Sequence, residues 1–166
     1  MKIQRYFAVC CALFLLIVGA LSTGAGAEEK KKGGPKYTCD EPNPASLCNA
    51  GNTCGPSCTV DIKRTAYSSS ATPNIPGAKG NQLFCVKAGA TVTWQAPDKN
   101  TGFLIDFGPN SPFDSPDAIT GGSAKPASVV AKTPGCYKYG FSATNSTAIY
   151  GMSKAAQAEL IVTPGQ

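Results

Sequence analysis

The sequence predicts an all-β protein: a Greek-key antiparallel β-sandwich of about seven strands, preceded by an irregular arm stapled by disulfides. Three observations lead to this fold class. Short segments of alternating apolar and polar residues are separated by turns that contain Gly and Pro. No long helical period occurs, and residues 153–158, the one helix-compatible segment, are too few to be stable without packing. The cysteines also follow a pattern typical of disulfide-bonded exported proteins.

Residues 1–27 have the features of a signal peptide. Lys2 and Arg5 precede a nearly unbroken apolar stretch at residues 7–21, and Ala25-Gly26-Ala27 offers small residues for cleavage before Glu28. About 15 apolar residues are short for a membrane span, which usually needs about 20. We therefore expect an exported protein, periplasmic or secreted, that has no contact with the membrane after cleavage.

The charge of the chain does not indicate a partner. Without Lys2 and Arg5, 13 basic residues remain beside 10 acidic ones, a net charge of +3. Much of this excess lies in the lysine run at residues 30–32 and in Lys36, and no aromatic residue lies within that run to stack on bases. We expect a solvated tail, no nucleic-acid partner, and an unknown protein or small-molecule ligand.

Composition divides the mature chain into two parts. Residues 28–58 are rich in Gly, Pro, Asn and Cys and hold almost no large apolar residues, so they cannot bury enough surface to offset the entropy of ordering. We expect an arm at residues 28–58 that depends on its cysteines. Residues 59–166 are the predicted sandwich domain.

Strand patterns account for most of the second part. Val60 and Ile62 alternate with polar residues, and Phe103, Ile105 and Phe107 share one face of another strand. Residues 68–80, with two prolines, are predicted to form a loop. The remaining predicted strands are residues 83–86, 90–94, 128–131, 136–142 and 159–163.

Four segments resemble a known family. They are Val-Lys-Ala-Gly-Ala-Thr-Val-Thr-Trp at residues 86–94, the aromatic strand after it, Thr-Pro-Gly-Cys-Tyr-Lys-Tyr at residues 133–139, and Ala-Glu-Leu-Ile-Val at residues 158–162. In this order they resemble plastocyanin-type cupredoxins over roughly residues 80–163. The resemblance implies a cupredoxin-like sandwich. Tyr137, directly after a Pro-Gly turn, is predicted to form a tyrosine corner.

The same resemblance implies a fold without its usual metal. A blue-copper site needs two imidazoles and a thiolate, and this chain contains no histidine. The family's first histidine ligand would fall within residues 97–105, and Phe141 stands where the thiolate would be. Met152 could match the axial position, but a thioether alone holds no copper. We expect no type 1 copper site and no cofactor.

A second resemblance concerns residues 102–113, Gly-Phe-Leu-Ile-Asp-Phe-Gly-Pro-Asn-Ser-Pro-Phe. This segment resembles a group of uncharacterised exported bacterial cupredoxin-like proteins and implies no activity. We expect Phe113 to fold back as a plug on the end of the sandwich. The alternative is that Asp106, Asn110, Phe113 and Asp117 line a binding surface, because loops on a rigid sandwich commonly bind ligands.

The cysteines offer two interpretations. Alternation places Cys85 and Cys136 outward, near strand ends that the cupredoxin order brings together, so we predict a disulfide between them. Cys39, Cys48, Cys54 and Cys58 would then pair among themselves, or one of them could clip the arm to the domain. The alternative is a thiol cluster of Cys48, Cys54 and Cys58 that holds Cu(I) or zinc.

Enzyme signals are weak. Without histidine there is no Ser-His or Cys-His nucleophile pair, and the acidic residues are scattered, so we identify no catalytic residue. We predict an exported, non-catalytic binding or structural module with an unknown ligand. The alternatives are a thiol-based metal carrier or redox protein, and an enzyme that works without histidine. Asn145-Ser146-Thr147 is a glycosylation sequon that matters only in a host that glycosylates exports.

Overall fold

A computed structural model of the protein describes residues 38–151 and 157–165. The predicted signal peptide, the lysine run and Met152 lie outside these ranges. Two short 3-10 turns, Thr38–Asp40 and Pro44–Leu47, come first. Ten strands follow in the described residues: β1 (Ser57–Arg64), β2 (Ser69–Pro73), β3 (Phe84–Lys87), β4 (Thr91–Gln95), β5 (Gly102–Asp106), β6 (Ile119–Gly122), β7 (Ala127–Val130), β8 (Gly135–Thr144), β9 (Ile149–Gly151) and β10 (Gln157–Thr163).

The strands form two sheets. One has the order β2-β1-β4-β7, and the other has the order β3-β10-β8-β5-β6, with β9 paired to the last residues of β8. The pairs β1–β4 and β3–β10 are parallel, so both sheets are mixed and not purely antiparallel. The reason is the turn between β3 and β4, where Gly89 has a φ of +94°. This turn sends consecutive strands into different sheets, so each pairs with a distant strand.

The segments that carry the cupredoxin resemblance form the predicted strands. Residues 86–94 contain the end of β3, a turn and most of β4, the aromatic strand is β5, and the two later segments contribute to β8 and β10. The prediction of a cupredoxin-like β-sandwich is confirmed. The strand count exceeds seven because β2 and β6 are short and rich in small or polar residues and β9 has only three residues; β2 lies in the segment that was expected to be a loop.

The core between the sheets is built on aromatic residues. Trp94 from one sheet packs edge-on against Tyr139 from the other, with ring centroids 5.3 Å apart, and against Phe84 at 6.3 Å. Phe103 and Ile105 are buried, as alternation predicts. Phe107 is partly buried but also packs on Tyr139, at 4.9 Å. The core therefore joins the two sheets mainly through β4, β5 and β8.

The arm is held on the outer face of the six-stranded sheet. Strand register places Cys85 of β3, Ile161 of β10 and Cys136 of β8 in one lateral row. Cys85 and Ile161 are fully buried, yet neither belongs to the core cluster between the sheets. The chain from Thr38 to Pro56 covers them, because its two 3-10 turns contact β8 and β10.

This row shows why the predicted Cys85–Cys136 disulfide is wrong. The two cysteines lie on either side of β10, and strands about 4.8 Å apart place them roughly 10 Å from each other, whereas a disulfide requires Cα atoms within about 7 Å. The structure instead joins Cys39 to Cys136 and Cys48 to Cys85, with Cα–Cα distances of 5.3 Å and 5.9 Å.

Of the four arm cysteines predicted to pair among themselves, only Cys54 and Cys58 do so. The alternative, that an arm cysteine clips the arm to the domain, is confirmed twice. The predicted thiol cluster of Cys48, Cys54 and Cys58 does not form, because Cys48 is bonded to Cys85.

Polar contacts reinforce the arm. The backbone N–H of Cys39 donates to Oε1 of Glu159 at 2.9 Å, and Lys138 Nζ pairs with Asp40 Oδ1 at 2.6 Å. Residues 52–54 bond to the free edge of β3, since Cys85 donates to the Asn52 carbonyl and accepts from the Cys54 N–H. An otherwise open sheet edge is thereby covered.

Replacement of Cys39 and Cys136 with serine is expected to lower the free energy of unfolding by roughly 4–5 kcal/mol, because the disulfide between them closes a long loop. The sequence separation is 97. The matched control replaces Cys54 and Cys58, which are separated by 4, and is expected to cost roughly 2 kcal/mol. Urea unfolding followed by the emission of Trp94, the one tryptophan, measures both. Equal losses of unfolding free energy in the two variants would contradict the assignment of the longer loop to the Cys39–Cys136 disulfide.

Candidate functional site

Four turns meet at one end of the sandwich, here called the hairpin end. Gly102 at the start of β5 pairs with Gly122 at the end of β6 and with Thr144 at the end of β8. The β4–β5 loop, the β6–β7 turn and the β8–β9 turn therefore lie together. The β1–β2 hairpin joins them, because Ser69 Oγ donates to the Phe141 carbonyl at 3.5 Å.

Two of these hairpins carry exposed large side chains. Tyr67, at the tip of the β1–β2 hairpin, is 97% exposed, and Ile149, at the start of β9, is 71% exposed. The Arg64 guanidinium lies over the Tyr150 ring, 5.9 Å from its centroid, and so links the two hairpins. We call Arg64, Tyr67, Ile149 and Tyr150 the hairpin-tip patch.

Local hydrogen bonds fix both hairpins. The Thr65 N–H donates to the Ser68 carbonyl at 2.9 Å and closes the turn that carries Tyr67. Asn145 Oδ1 accepts from the N–H groups of Thr147 and Ala148 at 2.9 Å and 2.8 Å, an Asx turn that leads into β9. The exposed side chains thus project from ordered turns.

Glycine lets β9 lie close to the sheet. Gly151 has a φ of +107°, and a Cβ there would lie 2.6 Å from the carbonyl oxygen of Phe141. The close approach holds Tyr150 and Ile149 beside the end of β8.

A shallow depression lies at the same end. It is open, with a volume of about 440 Å³. Most of its lining surface is apolar, and its polar groups are hydroxyl, amide and backbone groups with one ammonium and no carboxylate. The lining residues are Asn100, Thr101, Gly102, Thr120, Gly121, Gly122, Ser123, Ala124 and Lys125.

The predicted surface of Asp106, Asn110, Phe113 and Asp117 lies elsewhere, on the loop after β5. This loop contacts the opposite end of the sandwich, where the Pro112 carbonyl accepts from the N–H groups of Lys132 and Thr133. Phe113 is 8% exposed and packs edge-on against Phe107 at 5.3 Å. The plug interpretation of Phe113 is therefore confirmed, and Phe113 is no surface residue.

The other three residues of that prediction are exposed but turn to their own loop. Asp106 Oδ1 accepts from the Gly108 N–H at 2.7 Å, and Asp117 Oδ2 accepts from Ser115 Oγ at 2.8 Å. Asn110 is exposed. A binding role for these three remains a prediction.

The positions that the sequence resemblance compared with copper ligands have different environments, and residues 97–100 are exposed. Phe141, at the position of the thiolate, is fully buried, and Thr101 is nearly so. Across residues 38–151 and 157–165, no group of three or more His, Cys, Asp or Glu side chains is placed to hold a metal ion. Phe141 belongs to the core cluster between the sheets.

Two tyrosines of β8 have opposite environments for their hydroxyls. Tyr137 Oη donates to the Thr133 carbonyl at 2.8 Å, which confirms the tyrosine corner, and partial burial raises its pKa. Tyr139 is fully buried, and its hydroxyl has no hydrogen-bond partner among residues 38–151 and 157–165; burial raises the pKa of this phenol strongly. Within the same ranges Trp94 Nε1 also has no partner.

Sequence reasoning did not identify the hairpin-tip patch. Tyr67 precedes β2, whose small and polar residues gave no alternation, and Ile149 begins β9, which is too short to show one. The sequence signal was a single tyrosine, Tyr67, among Ala and Ser residues. It indicates an exposed side chain only once the hairpin that carries it is known. Within the described ranges, no helix has the length and apolar character needed to cross a membrane.

Comparison with known proteins gives a likeness in structure only. No family model matches the chain, and no curated protein matches it. An oxidised amicyanin variant is similar at 16% identity and a TM-score of 0.38, over 69% of this chain and 90% of that one. A Cu(I) amicyanin variant is similar at 17% identity and 0.38, over 68% and 88%. No activity or ligand follows from these values for the present chain, which is a disulfide-stapled, cupredoxin-like β-sandwich.

Replacement of Tyr139 by phenylalanine is expected to leave stability unchanged or raise it by up to about 2 kcal/mol, because it removes a buried hydroxyl that lacks a partner. Tyr137→Phe is the control and should lose about 1 kcal/mol with its hydrogen bond to Thr133. Urea unfolding measures the change in unfolding free energy for both variants. A loss in Tyr139→Phe as large as that in Tyr137→Phe would show that the buried hydroxyl is bonded.

The raised pKa of Tyr139 predicts a loss of stability in alkali. The phenol keeps its proton in the folded protein, whereas the unfolded chain releases it near the ordinary value of 10.0. The contribution of Tyr139 to the free energy of unfolding is therefore fully present below about pH 10 and decreases as the pH rises further. Urea midpoints across this range should fall less steeply in Tyr139→Phe than in the parent protein. Parallel curves would contradict the prediction.

Proposed function

We propose that the protein is an exported, non-catalytic binding module that contacts a partner through the hairpin-tip patch. The observation that carries the proposal is the exposure of Tyr67 and Ile149 on two linked hairpins. Among the described residues, the other exposed large apolar side chains, Leu47 and Val130, reach only 42% and 41%.

The chemistry of the patch suits an interface. Tyrosine and arginine are the residue types that most often dominate binding energy, and they do so around apolar contacts from which water is excluded. Single exposed apolar residues are ordinary. Tyr67 and Ile149 differ from that case because the Arg64–Tyr150 contact joins their hairpins.

The scaffold supports the same reading. Turn hydrogen bonds hold the Tyr67 and Ile149 hairpins on the two-sheet core, so a partner would meet a surface that is already ordered. A preorganised surface loses less entropy on binding. Three disulfides also suit an oxidising compartment, which favours the expected export.

The alternative functions have less support. A thiol-based metal carrier needs free thiols, and all six cysteines of the described chain are paired. A histidine-independent enzyme would need titratable groups that converge in a cleft, and the depression at the hairpin end has one ammonium and no carboxylate among its lining residues.

Photocrosslinking in the producing host tests the proposal. A benzophenone amino acid replaces Tyr67, and in a matched control it replaces the exposed Ser128 on β7. We expect a discrete adduct from position 67 that disappears when Ile149→Asp is added, because the charge would have to be buried in the interface. Equal adducts from both positions, or an adduct indifferent to Ile149→Asp, would overturn the patch as the contact surface.

A further inference from the structure

We infer that the partner of the hairpin end is an acidic polypeptide segment whose carboxylates face Arg64, Lys99 and Lys125 while its apolar side chains contact Tyr67 and Ile149. This inference rests on the proposed function and names the partner class for that site.

Charge distribution is the first argument. Within residues 38–151 and 157–165 the lysines that form ion pairs are Lys63, Lys132 and Lys138. The cations outside these pairs include Arg64, Lys99 and Lys125, which all lie in or beside turns of the hairpin end. Asp98 is the one carboxylate of the described β4–β5, β6–β7 and β8–β9 turns, so the end carries a net positive charge.

The opposite end has more carboxylates. Asp106 and Asp117 are exposed there and form no ion pair within the described residues, Asp114 pairs with Lys132, and Lys87 is the further exposed cation. An acidic segment is therefore attracted to the hairpin end and repelled from the far end. Such asymmetry selects orientation and partner more than it adds affinity.

The depression supplies the second argument. It lies at the same end, is open to solvent and includes Lys125. Hydroxyl, amide and backbone groups there can bond the main chain of an extended segment. Its lining contains no carboxylate to repel an acidic one.

The apolar side chains favour a polypeptide over an acidic polysaccharide. Ile149 presents no hydrogen-bonding group and requires an apolar partner to be buried well. Sugars offer Ile149 little such surface, although they could stack on Tyr67. The combination of an aliphatic side chain, two tyrosines and three cations therefore suits a segment that mixes acidic and apolar residues.

Selection from a random peptide library displayed on phage tests the inference without a known partner. Peptides are selected on the parent protein and counter-selected on the Tyr67→Ala, Ile149→Asp variant. We expect the enriched sequences to combine Asp or Glu with aromatic or aliphatic residues. Enrichment of neutral or basic sequences, or no enrichment, overturns the inference.

Charge-reversal variants separate this inference from the proposed function. Lys99→Glu with Lys125→Glu should weaken binding of a selected peptide roughly tenfold at low salt, and less at physiological salt. The matched control, Lys79→Glu with Lys87→Glu, changes the net charge equally and should have little effect.

Two outcomes overturn the acidic preference. Equal losses of binding in both double variants would show that only the net charge of the protein matters. Loss of binding in Ile149→Asp but not in the Lys99→Glu, Lys125→Glu variant would leave the patch as a docking surface without an acidic preference. Displacement of the selected peptide by polygalacturonate, at a concentration comparable to that of the peptide, would assign the site to an acidic polysaccharide instead.

Discussion

The Cys39–Cys136 and Cys48–Cys85 disulfides clamp the arm across β10, and this clamp is the constraint on which the rest of the structure depends. β10 lies between β3 and β8, and Cys85, Ile161 and Cys136 form one row across the three strands. The arm crosses this row and is bonded to the cysteine on each side of Ile161. An apolar face that would otherwise be open to water is thereby buried, and the strands on both sides of β10 are held by covalent bonds. The arm acts as a third layer over the sandwich.

The position of the clamp explains how function and stability are separated. Cys136 is the second residue of β8, whereas the hairpin end follows Thr144, the last residue of the same strand. Stabilising bonds are therefore concentrated away from the turns that carry Tyr67 and Ile149. An aromatic core continues along β8 between the two regions, through Tyr139 and Phe141.

Much of the fold could be predicted from sequence, because alternation and turn residues report which face of a strand is buried. Phe103, Ile105 and Tyr137 are examples, and their environments are as expected. The disulfide pairing could not be predicted, since alternation shows that Cys85 and Cys136 face outward but not that β10 lies between them. The candidate site was also hidden: β1 and β8 gave a pattern, but β2, of small and polar residues, and β9, of three residues, did not, so neither hairpin could be recognised.

The connectivity of the arm tests the account most directly. Cleavage before aspartate under non-reducing conditions separates the cysteines, because Asp40, Asp61, Asp98 and Asp117 lie between them. Mass spectrometry should find the peptide that ends at Cys39 linked to residues 117–166, and residues 40–60 linked to residues 61–97. A link between residues 61–97 and 117–166 would join Cys85 to Cys136. That result would contradict both the order of β3, β10 and β8 and the clamp built on it.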